Sequence, residues 1–204
     1  INSEIEEVTT NKDIIEYGDK LSFDDNSKDS SIKRTVPADI SEKLRKDTNA
    51  RKEALNSADI AFLCLPDAAA IEAVSLIEND NTIVIDTSTA HRTNDGWAYG
   101  FPELSKEFET KLKNSKRIAV PGCYASGFIA LVKPLVDAGI LDKDICIACH
   151  AISGYSGAGK NGIAQYEDVN RDMLLDAPRE YALTQQHKHL KEMVQLCGLT
   201  NAPV

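Results

Sequence analysis

Short unbroken apolar runs alternate with amphipathic stretches over most of the chain. "ADIAFLCL" (58–65), "TIVID" (82–86), "RIAV" (117–120) and "ICIACHAI" (145–152) have the length and content of strands buried on both faces. Between them the pattern predicts helices. The first covers Ser41–Leu55, or is a charged loop running into a helix; the next is Ala68–Glu78, opened by Pro66 and capped by Asp67. "NDN" (79–81) turns the chain before the second run, and a polar loop fills Thr87–Leu104. Further helices are predicted over about 105–114 and about Ala125–Asp137, where Pro134 should kink or restart the helix and Gly139 should cap it. Another helix should run to about Asp168, and "QQHKHLKEMVQLC" (185–197) is amphipathic and closed by Gly198. Strands alternating with helices predict an α/β protein built on a parallel, Rossmann-like sheet. Residues 1–36 break the pattern: "NSEIEEVTTNKD" and "FDDNSKDSSIKR" carry few large apolar side chains, predicting a poorly ordered or marginally structured segment with a boundary at Pro37.

Composition narrows the function classes. A net charge of −9 over 204 residues argues against nucleic acid or an anionic membrane as partner. No apolar run approaches the roughly 18 residues of a membrane helix, and no secretory leader is visible, so a cytoplasmic protein is expected. The five cysteines, Cys64, Cys123, Cys146, Cys149 and Cys197, are odd in number and widely spread, unlike a disulfide framework. Cys146 and Cys149 form a C-x-x-C inside a strand-like run, read as two buried strand cysteines and not as half of a zinc site.

Three stretches carry candidate chemistry. "GYSGAGKN" (154–161) falls one residue short of a phosphate-binding P-loop: Asn161 stands where a Mg²⁺-binding hydroxyl is needed, and the aspartate-ending strand "TIVID" precedes the loop where it should follow. In "IAVPGCYASGFIAL" a strand ends, Pro–Gly turns the chain and Cys123 stands where the next helix begins. Backbone N–H groups there stabilise a thiolate, so Cys123 is a nucleophile candidate, with a space-filling buried cysteine as the alternative. In "DTSTAHRTND" (86–95), Ser88, Thr89, His91 and Arg92 follow a buried strand, at the end where open α/β sheets bind ligands; Arg92 suits a phosphate or carboxylate, and a solvated loop is the other reading. Among the histidines, His150 lies in a strand-like run and reads as structural. His187 and His189, two apart on a predicted helix, diverge by roughly 200° and cannot share one metal ion, so no metal site is expected. With Thr184 as cap, His187 falls in the first turn on the apolar face of Leu190 and Val194, where it would be neutral and able to act as a base; His189 shares its face with Glu192 and Met193.

The set "LCLPD" (63–67), "IDTSTAHR" (85–92), "YGFPEL" (99–104), "VPGCYASG" (120–127), "SGYSGAGK" (153–160) and "HKHLKEM" (187–193) resembles the N-acetyl-γ-glutamyl-phosphate reductases of the semialdehyde dehydrogenase superfamily, from about Ile40 onward. The resemblance implies a dinucleotide-binding domain over 37–122 and, over 123–204, the start of an α+β substrate domain. It implies NADP(H) as cofactor, Cys123 as nucleophile and His187 as acid/base group, in a reduction of an acyl phosphate serving arginine biosynthesis. Arg92, His189 and Ser88 are the candidate substrate-binding residues. Leu65, Pro66, Ser153, Gly154, Gly157 and Gly159 are the cofactor candidates, with Ser41, Lys43 and Arg45 as possible partners of a 2′-phosphate. A homo-oligomer is expected. The family's opening G-x-x-G-x-x-G loop is not visible in residues 1–36, whose one glycine is Gly18, and the family continues past the position of Val204. A related reductase of the aspartate-semialdehyde type and a non-catalytic remnant of the fold are the competing readings.

Overall fold

The computed structural model describes residues 14–18 and 46–204. These fall into two compact units, one ending at Ser126 and the other running from Gly127 to Val204; the sequence placed the division at 122/123.

The first unit is a five-stranded sheet, all parallel, in the order β1-β2-β3-β5-β4. Its strands are β1 (Ile14–Gly18), β2 (Ile60–Cys64), β3 (Ile83–Asp86), β4 (Ala98–Tyr99) and β5 (Arg117–Ala119). The parallel fold expected from the alternating pattern is present. One expectation fails at the start: β1 lies inside the polar segment 1–36, paired with β2 from Ile14↔Ile60 to Gly18↔Cys64. Five residues held by a neighbouring ladder need no apolar context of their own, and composition cannot reveal them.

Three helices accompany this sheet: α1 (Thr48–Ser57), α2 (Asp67–Ser75) and α3 (Lys106–Asn114). The residues from 41 to 45, where α1 was predicted to begin, lie outside the described residues along with Ser41, Lys43 and Arg45. Helix α1 is capped by Asp47, whose side chain accepts from Ala50 N. Arg51 in α1 grips Glu72 in α2 through both guanidinium arms, at 2.7 and 3.2 Å. The predicted turn at "NDN" is held by Asn79, whose Oδ1 accepts from Asn81 N and Thr82 N, an Asx turn leading into β3. Leu55, Ala61, Leu63, Ala73, Val84, Trp97 and Ala119 form the core, drawn from α1, β2, α2, β3, the following loop and β5. Burial alternates along β2 and β3, with Ala61, Leu63 and Val84 fully enclosed and the intervening residues only partly so, where the sequence implied burial on both faces.

The chain order decides what meets at the sheet's carboxyl edge. After β3 the loop 87–97 passes the place of β5 to form β4, and α3 returns the chain to β5 between β3 and β4. The ends of β3 and β5 are therefore adjacent, with Asp86 opposite Ala119.

Helix α4 (Cys123–Asp137) follows β5 at once and leads into the second unit. Its buried residues Ala125, Phe128, Ile129, Val132 and Val136 recur at helical spacing. It does not restart at Pro134 but continues as one helix through it, and it ends as expected at Gly139, whose φ of 67° lets Ile140 N bond to Leu135 O. The second unit also holds α5 (Gly159–Glu167), after a 3-10 turn at Tyr155–Ala158, and α6 (His189–Cys197), closed by Gly198.

The predicted strand 145–152 does not form. Among the described residues its backbone bonds only to the local turn, Ile145 N to Asp142 O at 3.2 Å, and to Val204, through Val204 N to Ile147 O at 2.9 Å and Cys149 N to Val204 O at 2.7 Å. A strand is a property of a ladder, and one rung does not make it. Consequently Cys146, Cys149 and His150 are exposed and not buried strand residues, and Ile152 is 92% exposed.

Candidate active site

Cys123 is the first residue of α4, reached from β5 through Val120, Pro121 and Gly122, and its side chain is exposed. The local cause is the Pro–Gly turn: the strand cannot continue through proline, and Gly122 O starts the helix by accepting from Ser126 N at 2.7 Å and from Ser126 Oγ at 2.9 Å. The thiol thus stands at the carboxyl edge of the parallel sheet, on the first turn of a helix. The alternative of a buried, space-filling cysteine is excluded.

The β3 end lies beside this turn. Val120 N donates to Asp86 O at 2.8 Å, and Val120 O accepts from Arg92 Nε at 2.8 Å. Arg92 Nη2 donates to Thr87 O at 2.9 Å. Arg92 is buried, and these donors serve backbone carbonyls. Ser88, also buried, gives its hydroxyl to Asp86 Oδ2 at 2.6 Å. Asp86 is fully buried and accepts further from Ser88 N at 3.0 Å and from His91 Nδ1 at 2.6 Å. With the carboxylate ionised all three contacts are donated to it, which places the hydrogen of His91 on Nδ1. The His91 ring stacks on Trp97 at 4.0 Å and 15°. The sequence singled out Ser88, His91 and Arg92 but not Asp86, the buried carboxylate that Ser88 and His91 share. The usable signal was an aspartate closing an apolar run, a burial that requires partners.

Leu65 and Pro66 form the turn from β2 into α2, at the same edge. Pro66, not Asp67, occupies the cap position of α2. The Asp67 carboxylate instead receives Thr89 N at 3.0 Å and Thr89 Oγ1 at 2.6 Å, tying the turn after β2 to the loop after β3.

In the second unit, Ser153 to Gly159 are all exposed. Gly159 has φ 68° and ψ −160°, a region only glycine occupies readily. No strand precedes the loop, which removes the strand–loop–helix context a P-loop requires. His187 was placed in the first turn of a helix, but α6 begins at His189 with Lys188 as cap. His187 precedes it, its Nδ1 accepting from His189 N at 3.2 Å, and its ring meets those of His189 and Tyr181 edge-on at 4.6 and 5.7 Å. Partial burial, and then the charge of Lys188, hold the His187 imidazole below its ordinary value of 6.5, favouring the neutral ring at pH 7. His189, Glu192 and Met193 are buried on one face of α6, as the spacing implied. Among the described residues no group of three or more His, Cys, Asp or Glu is placed to hold a metal ion, and no helix is long and apolar enough to cross a membrane.

Known proteins are similar to this chain. The family description "Semialdehyde dehydrogenase, NAD binding domain" matches residues 15–111, and "Semialdehyde dehydrogenase, dimerisation domain" matches 123–204. The chain is 51% identical over 160 residues to N-acetyl-gamma-glutamyl-phosphate reductase of Chelativorans sp., covering 78% of this chain and 51% of that protein. It is 47% identical over 165 residues to N-acetyl-gamma-glutamyl-phosphate reductase 2 of Pseudomonas putida, covering 81% and 52%. The chain spans about half the length of these relatives. Among solved structures, aspartate semialdehyde dehydrogenase II from Vibrio cholerae superposes with a TM-score of 0.51 at 19% identity, over 73% of this chain and 51% of that one. The aspartate semialdehyde dehydrogenase from Francisella tularensis gives 0.50 at 12% identity, over 75% and 54%. At such identities the likeness speaks for the fold alone. With both domain descriptions matched in order along a parallel α/β chain, this protein belongs to the semialdehyde dehydrogenase family.

Proposed function

We propose that the chain is the thiol-bearing part of an NADPH-dependent reductase that converts N-acetyl-γ-glutamyl phosphate to N-acetylglutamate semialdehyde, a step of arginine biosynthesis in the cytoplasm. One observation carries the reading: the exposed Cys123 thiol on the first turn of α4, at the carboxyl edge of the sheet. The start of a helix is, in general, where the partial positive charge of the backbone favours an anion. The thiolate Sγ attacks the acyl carbon, the bond from that carbon to the phosphate oxygen breaks, and phosphate leaves behind a thioester on Cys123.

NADPH, when bound, supplies the hydride that reduces this thioester to the aldehyde and frees the thiol. Leu65 and Pro66, at the carboxyl end of β2, occupy the place where open parallel sheets take nucleotides. The exposed backbone of Ser153, Gly154, Gly157 and Gly159 suits close approach by a flat ring, since a Cβ at Gly157 would meet Ser153 Oγ at 2.8 Å and Gly159 holds a conformation closed to other residues. Each set, taken by itself, is proposed as a cofactor contact. His187, kept neutral by its surroundings, is the proposed acid/base group. His189 and Arg92 are the proposed substrate-binding residues, with Ser88 on the same loop as Arg92. Arg92 would contribute chiefly its charge, because Nε and Nη2 already bond to carbonyls. The dimerisation-domain match, together with exposed apolar side chains at Ile152, Val169, Met173 and Leu174, supports a homo-oligomer formed through the second unit.

Phosphate-dependent reduction of NADP⁺ with N-acetylglutamate semialdehyde tests the reading, with aspartate semialdehyde run alongside. The first substrate should give the higher kcat/KM, and Cys123→Ser should abolish turnover. Undiminished turnover in that variant would remove Cys123 from the mechanism.

A further inference from the structure

The contacts at the β3 end run in one direction, toward the thiol. Asp86 has no exposed surface, and its carboxylate takes three donors, two from Ser88 and one from His91. His91 is held on its other side by the face of Trp97, itself a member of the core. The ring therefore has one position, and the loop backbone that carries it is fixed with it. The next residue, Arg92, spans Thr87 O and Val120 O. Val120 is thereby bound at both its backbone groups by the β3 end, through Asp86 O and Arg92 Nε. Three residues on stands Cys123.

We propose that Asp86 and His91 are positioning residues for Cys123: they hold the loop after β3 so that Arg92 pins the carbonyl of Val120 and fixes where the Pro–Gly turn delivers the thiol. Neither group needs to touch substrate. The inference rests on the reading of Cys123 as the reacting thiol, but its test does not require turnover. A plain strand-to-helix junction would need no such bracket, because an exposed turn is satisfied by water. Here two neighbouring strand ends are locked through a fully buried carboxyl group, at the desolvation penalty that burying a polar group carries.

The molecule contains its own controls. Cys64, Cys146 and Cys149 are exposed like Cys123, and Cys197 is buried. Alkylation by iodoacetamide, followed at each cysteine by peptide mass mapping, reports the environment of each thiol separately. His91→Phe keeps a ring against Trp97 but removes the donor to Asp86, whereas His91→Asn restores a donor near the place of Nδ1. In His91→Phe and in Asp86→Asn, the Cys123 rate should fall about fivefold relative to Cys146 and Cys149, the size of a helix-terminus effect on an anion. In His91→Asn it should stay within about twofold of the parent, since a neutral donor to a carboxylate replaces most of the lost bond. An unchanged Cys123 ratio in His91→Phe overturns the proposal. So does an equal loss in His91→Phe and His91→Asn, or alkylation of Cys197 rising with the change, which would mark general loosening. Loss of turnover in Cys123→Ser is a separate result: if it fails while the alkylation pattern holds, the bracket stands and the assigned reaction falls.

Discussion

Asp86 and Cys197 show two fates of an ionisable side chain in the interior. Three donors converge on the Asp86 carboxylate, so Asp86→Ala leaves Ser88 and His91 without their buried acceptor. The expected loss is about 3 kcal/mol of unfolding free energy, read from the urea midpoint. At Cys197 burial outweighs the charge and the backbone hydrogen bond of Lys133, which act the other way. Burial is the chief cause that pushes its thiol up to about 11, so it should be inert at pH 8, while Cys64, Cys123, Cys146 and Cys149 react with a disulfide reagent before unfolding. A fifth fast thiol would contradict that burial. For His187 the sign of the pH effect follows from its lowered value. Its unfolded form takes a proton first as pH falls, so the stability this neutral ring contributes is present above about pH 6.5 and is lost below it. A ring-proton NMR titration should give His187 a midpoint below 6.5; a midpoint above it would mean the ring is not desolvated.

Two elements carry departures from local rules. Helix α4 continues through Pro134, so the carbonyl of Ala130 lacks the donor an ordinary residue would supply at 134. Pro134→Ala should stabilise the chain by about 1–3 kcal/mol in thermal unfolding, provided the helix is as continuous as it stands here. The turn before α5 depends on Gly159 in a conformation open to glycine. Gly159→Ala should cost about 1–3 kcal/mol or displace the loop. If the loop forms part of the cofactor site, KM for NADPH should rise in the same variant, while alkylation of Cys123 is unaffected.

At the scale of the molecule, the first unit brings the β2, β3 and β5 ends to one edge of a parallel sheet, and Trp97 lies within that unit, nine-tenths buried and stacked on His91. Its fluorescence therefore reports on the loop after β3. Titration with NADPH should give a saturable change with a midpoint on the order of micromolar, about −8 kcal/mol of binding. A flat titration would favour a fold that has kept its sheet and lost its cofactor. Sedimentation should show an oligomer if the exposed apolar residues of the second unit are contact residues.

Much of this architecture was legible in the sequence because it rests on short-range periodicity. The apolar runs of β2, β3 and β5, the stripes of α4 and α6, and the Pro–Gly break that sets Cys123 at a helix start are local facts, and chain order alone made the sheet parallel. What failed depended on partners far along the chain. "IIEYG" is a strand because β2 lies beside it, and "ICIACHAI" is not, because among the described residues it meets one rung at Val204. Asp67 looked like a cap by position, yet a hydroxyl 22 residues away claimed it. The bracket from Asp86 through His91 and Arg92 to Val120 was equally out of reach, since its last bond joins residues 28 apart. Sequence determined which segments favour helix or strand and which residue types could do chemistry. Only the tertiary structure decided which backbone groups found ladders and which buried polar atoms found one another, because those choices are made by long-range pairing under the penalty for leaving a donor or acceptor unmet.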